Sequence, residues 1–241
     1  MSKIALITGA NKGIGLETAR QLSRDHGFTV LLGARDEERG QKAADELRSA
    51  GLDAQFLLLD PTDVASIESA RAEVEEKFGH LDVLINNAGT IDNGDFAPPA
   101  QVPTQTLRNT YEINVFAAHE VTSAFWPLLE KSEAARLVNV SSALGSIGLH
   151  CDFDGPLKDV KIIAYDSSKA ALNMMTVHYA AQWKNTPHRA NAIHPGSVKT
   201  DLNPHGDLTV EEGAKTSVEL ATIGSDGPNG KFFHLGQELP W

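Results

Sequence analysis

The run Ile4-Ala5-Leu6-Ile7-Thr8-Gly9-Ala10-Asn11-Lys12-Gly13-Ile14-Gly15 decides the fold. Ile4–Thr8 is a short, nearly continuous apolar segment closed by glycine, the pattern of a fully buried strand. A helical periodicity begins at Ile14. Glycines at 9, 13 and 15 stand between the two, so the backbone there turns tightly and lies open to close approach. The free N–H groups of a helix N-terminus next to such a turn form a cradle for a diphosphate. The spacing differs from G-x-G-x-x-G, and a plain turn between strand and helix would also read this way. The context on either side favours the cradle.

The same alternation continues outward. Apolar runs at Thr29–Leu32, Ala54–Leu59, Val83–Asn86, Leu137–Ser141, Ala190–Ile193 and Phe232–Phe233 read as further buried strands. Amphipathic patterns at Ile14–Arg24, Glu37–Ala50, Val64–Phe78, Tyr165–Lys184 and Val210–Ile223 separate them, with two helices expected across Thr104–Glu130. Strand–helix–strand order implies right-handed crossovers and a parallel sheet covered on both faces. The expectation is an α/β, doubly wound (Rossmann) single domain over residues 1–241, with a seven-stranded parallel sheet. No linker or low-complexity segment divides it.

Charge and composition exclude several functions. With 21 Lys and Arg against 32 Asp and Glu, the net charge is −11. No basic cluster is present, which argues against a nucleic-acid or anionic-membrane partner. Cys151 is the only cysteine, so no disulfide can form within the chain. Nine histidines fall in no H-E-x-x-H or Cys/His ligand spacing, so no metal site is expected. Leu144-Gly145-Ser146-Ile147-Gly148 is not a G-x-S-x-G nucleophile elbow, which disfavours a serine hydrolase. No run is long enough to cross a membrane, and Met1-Ser2-Lys3 leads straight into the first strand, as expected of a cytoplasmic chain without a leader.

The segment Ile163–Asn173 carries the candidate chemistry. Tyr165 and Lys169 stand four apart at the start of a helical pattern, side by side on one face. At about 4 Å and an effective dielectric of about 20, an ammonium favours a phenolate by about 4 kcal/mol, or about 3 pKa units. Such a tyrosine would exchange protons near neutrality. A solvated surface pair has the same spacing, so the neighbouring motifs decide.

Those motifs are Thr8–Gly15, Asn86-Asn87-Ala88-Gly89, Asn114, Asn139-Val140-Ser141-Ser142, Tyr165-x-x-x-Lys169 and Pro195-Gly196-x-Val198-x-Thr200. In this order they resemble the short-chain dehydrogenase/reductase family from end to end. Within it the chain is similar to the carbonyl reductase branch, through Thr8–Gly15, Gly33-Ala34-Arg35-Asp36 and the closing Phe232-Phe233 and Gly236–Trp241. The resemblance implies hydride transfer between NADP(H) and a small carbonyl or alcohol substrate. Tyr165 would be the acid/base group, with Ser142, not Ser141, bonding the substrate oxygen. Lys169 would hold the ribose and lower the tyrosine pKa, and Asn114 would keep a water that reprotonates Lys169. A cofactor-loaded binding or regulatory protein with little turnover is the rival reading.

The cofactor contacts implied are Gly9, Asn11, Lys12, Gly13, Ile14 and Gly15 in the first turn, and Asn87, Ala88 and Gly89 after the fourth strand. Pro195, Gly196, Val198 and Thr200 follow the sixth strand, together with Tyr165 and Lys169. Ala34 stands where an NAD-preferring fold places an acid, and Arg35 with Lys12 could clamp a 2′-phosphate, although Asp36 comes next. Asp60 would meet the adenine; it also reads as a turn residue, with Thr62 or Asp63 capping the next helix, and the two roles are compatible. Ile91–Phe96 is either a border of the substrate site or a surface loop. Segments 143–164 and 197–213 are expected substrate loops, with 201–207 a candidate lid. Ser142 and Tyr165 lie 23 positions apart, and the extra residues near His150–Val160 either wall the pocket or face outward, in which case they affect subunit packing. A homodimer or homotetramer is open.

Overall fold

The computed structural model describes residues 2–241. Strands β1 (Ile4–Thr8), β2 (Thr29–Ala34), β3 (Ala54–Leu58), β4 (Val83–Asn86), β5 (Arg136–Val140), β6 (Arg189–Ile193), β7 (Phe232–His234) and β8 (Gln237–Glu238) form one sheet in the order 3-2-1-4-5-6-7-8. The order reverses between β1 and β4, which pair directly, Ala5 with Val83 and Ile7 with Ile85. At such a switch point the crossovers on either side diverge and open a crevice at the carboxyl ends of the strands.

Because successive strand residues point to opposite faces, β1 feeds two cores. Ala5 and Ile7 pack with α1 (Gly13–His26), α2 (Glu37–Ser49) and α8 (Val210–Thr222). Ile4 and Leu6 pack with α3 (Val64–Phe78), α5 (Ala117–Glu130) and α7 (Ile163–Gln182). Every residue of β1, β2, β4 and β5 is buried, which is why these strands read as continuous apolar runs.

Two expectations are corrected. The first seven strands are parallel, but β8 adds an antiparallel eighth. It returns through Leu235 and Gly236, both at positive φ (45° and 75°), the backbone of a tight two-residue hairpin. The two helices expected across Thr104–Glu130 are also one nearly continuous rod: α4 (Thr104–Tyr111) passes through a π-helical turn, Glu112–Phe116, straight into α5. The π turn widens the helix by one residue and centres on buried Asn114. The short helix α6 (Ile147–His150) lies between β5 and α7.

Candidate active site

The glycine turn is shaped for close approach. Gly9 (φ 64°) and Gly13 (φ 59°) occupy the left-handed region. A Cβ on Gly15 would lie 2.5 Å from Asn87 Nδ2 and 2.8 Å from the Gly9 carbonyl oxygen. Asn87 fixes the turn, donating to the Thr8 carbonyl at 2.9 Å and the Gly9 carbonyl at 3.2 Å, while its own N–H and that of Ala88 donate to Thr8 Oγ1. The N-terminus of α1 has no side-chain cap and no acid in its first turn. Its N–H groups and positive dipole end therefore face the crevice free for an anion.

The acid after β2 is otherwise engaged. Asp36 caps α2, accepting from the Arg39 N–H at 2.9 Å and Nε at 2.8 Å, and these bonds hold its carboxyl below the usual range. Arg35 is exposed at the strand end. Lys12 does not face it alone: its Nζ pairs with Asp201 at 2.5 Å, joining the glycine turn to the loop after β6. Both side chains are mostly exposed, so solvent screens the pair. That loop is closed on itself by a bridge between Val198 and Leu208 and by reciprocal Thr200–Asn203 backbone bonds. Gly196 (φ 92°) turns it, and Thr200 Cγ2 comes within 3.8 Å of where a Gly13 Cβ would be. Asp60 takes the turn role, accepting from the Thr62 N–H and hydroxyl, and Asp63 caps α3. Asn86 is turned inward, donating to Thr122 and Asn139, away from the crevice.

Ser142, Tyr165, Lys169 and Asn114 converge across the crevice. Ser142 Oγ accepts from the Leu144 N–H at 3.2 Å, and Ser142 and Tyr165 are both buried on this side of the crevice. Ser141 instead donates to the Lys169 carbonyl. Lys169 Nζ donates to the Val140 carbonyl at 2.9 Å and lies 5.6 Å from the Tyr165 ring centroid. A Cβ on Gly89 would sit 3.4 Å from both Lys169 Nζ and Asn114 Oδ1, so those groups flank one glycine. Asn114 is held on three sides, accepting from the Thr90 N–H at 2.8 Å and donating to the Thr90 carbonyl and to Ser168 Oγ, each at 3.0 Å.

The electrostatics depart from expectation. Burial pushes the Tyr165 phenol up to about 12, opposed by the Ser142 hydrogen bond and reinforced by Asp166. Burial also drives Lys169 down to about 8. Burial is the largest cause of both shifts, since it disfavours the charged form of each group, and Lys169 Nζ is bonded to a carbonyl.

One residue had no signal in the sequence. Asp95, fully buried, accepts from the Ala164 N–H and the Tyr165 N–H, both at 2.8 Å. Ile162, at the N-cap of α7, supplies no side-chain bond. A carboxylate some 70 residues upstream in sequence therefore caps the helix that carries Tyr165. Through Asp95 the stretch Ile91–Phe96 is tied to the start of α7, while Asn93 and Phe96 are exposed. Cys151, Phe153 and Pro156, in the segment between Ser142 and Tyr165, are exposed, and Cys151 and Phe153 border a groove that also includes Ile163, Asp166 and Ala170 of α7.

The family profile described as short chain dehydrogenase matches residues 3–209. The chain belongs to the short-chain dehydrogenase/reductase family. It is 35% identical to short-chain dehydrogenase/reductase 1 of Saponaria officinalis, over 99% of this chain and 96% of that one. NADPH carbonyl reductase 3 of Rattus norvegicus is 35% identical over 95% of each chain. Among solved structures of this family, the NADPH-bound carbonyl reductase from chicken fatty liver superposes with a TM-score of 0.86 at 29% identity, covering 100% of this chain and 99% of that one. Like other short-chain dehydrogenase/reductases the chain is an oxidoreductase. No helix among its described residues is long and apolar enough to cross a membrane, and no group of three or more His, Cys, Asp or Glu among them could hold a metal ion.

Proposed function

We propose that this short-chain dehydrogenase/reductase reduces a small carbonyl compound with NADPH, Tyr165 donating the proton. The observation that carries this reading is the gathering of buried Ser142, Tyr165, Lys169 and Asn114 at the carboxyl edge of the sheet, with Lys169 Nζ 5.6 Å from the Tyr165 ring and beside Asn114 at Gly89, across the crevice from the glycine turn. Gly9, Asn11, Gly13, Ile14 and Gly15 with the α1 N-terminus would hold the diphosphate. Asp60, Asn87, Ala88 and Gly89 would border the adenosine and ribose, and Pro195, Gly196, Val198 and Thr200 the nicotinamide amide. Arg35 and Lys12 would take a 2′-phosphate. The engagement of Asp36 with Arg39 supports this phosphate reading over a free ribose hydroxyl, as do the NADPH-named relatives.

When bound, the reduced nicotinamide supplies the hydride. Ser142 then orients the carbonyl oxygen by hydrogen bond, and Tyr165 delivers its proton to that oxygen as it gains charge. The same tyrosine serves either direction, as phenol in reduction and as phenolate in oxidation. Lys169 holds the ribose and, with Asn114, returns a proton to the tyrosine.

Two measurements test the reading together. Tyr165→Phe should lower turnover of aldehydes, ketones or quinones at least a thousandfold while NADPH affinity stays within about threefold. Wild type should prefer NADPH to NADH, and Arg35→Ala should narrow that preference at least tenfold. Normal turnover in the phenylalanine variant rejects the tyrosine assignment, and an unchanged cofactor ratio rejects the phosphate site.

A further inference from the structure

The turn that follows Ser142 has little slack. Gly145 leaves it no room toward α7: a Cβ there would lie 2.7 Å from the Lys169 carbonyl carbon and Cβ. The carbonyls of Ser142, Ala143, Leu144 and Gly145 are all engaged. They bond, in that order, the Gly145 N–H at 2.8 Å, the Ser146 N–H at 3.0 Å, His150 Nε2 at 2.9 Å and Asn173 Nδ2 at 3.2 Å. A segment packed and bonded in this way passes a shift at one end to the other.

The outer end of the turn is held from far along the chain. Ser146, fully buried, caps α6 by accepting from the Leu149 N–H at 3.1 Å, and its hydroxyl donates to the Pro240 carbonyl at 2.7 Å. The Gly148 N–H, in the first turn of α6 where helical bonding leaves donors unpaired, donates to the Trp241 carbonyl at 2.9 Å. Glycine lets the two backbones close up, since a Cβ at 148 would lie 3.2 Å from that oxygen and 3.4 Å from Pro240 Cβ. The partner segment is anchored in turn. The Leu239 N–H donates to the Phe232 carbonyl at 2.8 Å, and the Trp241 ring stacks on buried Phe232 with centroids 5.6 Å apart and planes 14° from parallel. Leu239–Trp241 is thereby fastened to β7 on one side and to α6 on the other.

We propose that Leu239–Trp241 is a strap that sets where Ser142 Oγ stands, with Ser146 and Trp241 as positioning residues for reduction of the carbonyl substrate. The inference rests on the reading of Ser142 as the group that orients the carbonyl oxygen. Ser146, buried and with its hydroxyl proton committed to Pro240, acts through the turn Ala143–Gly145.

The test follows NADPH absorbance with benzaldehyde and menadione as carbonyl probes, at a temperature where every variant is folded by circular dichroism. Ser146→Ala, which drops the bond to Pro240, and Trp241→Leu, which drops the stack, should each lower kcat/KM about tenfold or more. NADPH affinity by fluorescence titration should stay within about twofold. Trp241→Phe, which keeps a ring on Phe232, should remain within about threefold of wild type. In a Ser142→Ala background, itself slow, Ser146→Ala and Trp241→Leu should each cost no more than about a further twofold, because residues that act through one group are not additive. A strap that only stabilises the fold would lower Tm and leave kcat/KM unchanged. Wild-type kcat/KM in either single variant overturns the positioning role and leaves the Ser142 reading intact, as do losses that multiply with that of Ser142→Ala. Ser142→Ala at the wild-type rate, or a wild type that reduces neither probe, overturns the Ser142 reading and the strap's role with it.

Discussion

Removing the carboxylate of Asp95 should damage catalysis without touching substrate or cofactor. Its two oxygens accept from the Ala164 and Tyr165 N–H groups at 2.8 Å, and the side chain is fully buried. Asp95→Ala leaves two buried donors unpaired, at about 1–3 kcal/mol each, so a stability loss of about 2–6 kcal/mol is expected. At about 2–4 °C per kcal/mol for a chain of this size, Tm should fall by roughly 4–24 °C. Asp95→Asn keeps one acceptor but turns an amide N–H₂ toward the other donor, so it should lose about half as much. The first turn of α7 then moves, and Tyr165 with it. Displacements approaching 1 Å cost about a hundredfold in rate, so kcat should drop about ten- to a hundredfold. KM for NADPH should stay within about twofold, since the glycine turn and Arg35 lie elsewhere. Circular dichroism melts and steady-state kinetics on both variants provide the assay. Wild-type kcat in Asp95→Ala at a temperature where it remains folded would refute the link between this cap and the tyrosine.

Three further outcomes follow from single features. Gly15→Ala should weaken NADPH binding at least tenfold by fluorescence titration, because its Cβ would press on Asn87 Nδ2 and the Gly9 carbonyl; unchanged affinity would mean that the turn is not the cradle. Asp166 holds its proton more tightly folded (about 7) than unfolded, so between about pH 4 and 7 the native state loses stability as pH rises. The Tm advantage of Asp166→Asn over wild type should accordingly grow from pH 4 to pH 8, and a constant offset would contradict the shift. Leu235 sits at φ 45° with a half-exposed side chain, so Leu235→Asn should raise stability by about 1 kcal/mol in urea titration, and a loss would show that its packing outweighs its backbone strain.

What could be read from the chain alone was local. Ile4–Thr8 with its glycines, and the run of buried strands behind it, carry their fold in composition and period. The grouping of Tyr165, Lys169, Ser142 and Asn114 was legible because each belongs to a motif with a fixed place in the topology. Three features were not. The bond from Asp95 to the Tyr165 N–H spans 70 positions, and no periodicity records a cap supplied from so far away. The π turn at Glu112–Phe116 shifts the helical phase by one residue, which made one rod look like two. The hairpin to β8 has Leu235 where asparagine or glycine would have announced a positive φ. The burial of Tyr165 and Lys169 was illegible for a different reason: spacing gives the distance between two groups but not how dry they are.

The strand order has a consequence for synthesis. β1 leaves the ribosome before the other strands of this sheet, yet it lies inside the sheet, between β2 and β4. Its β4 edge has no partner until Val83–Asn86 emerges, almost 80 residues later. At about 5–20 residues per second this leaves a fully apolar ribbon half-paired for about 4–16 s. The nascent chain must shield that edge by transient non-native contacts or by a chaperone, so slowing translation between β1 and β4 should lower the soluble yield more than slowing it after β4.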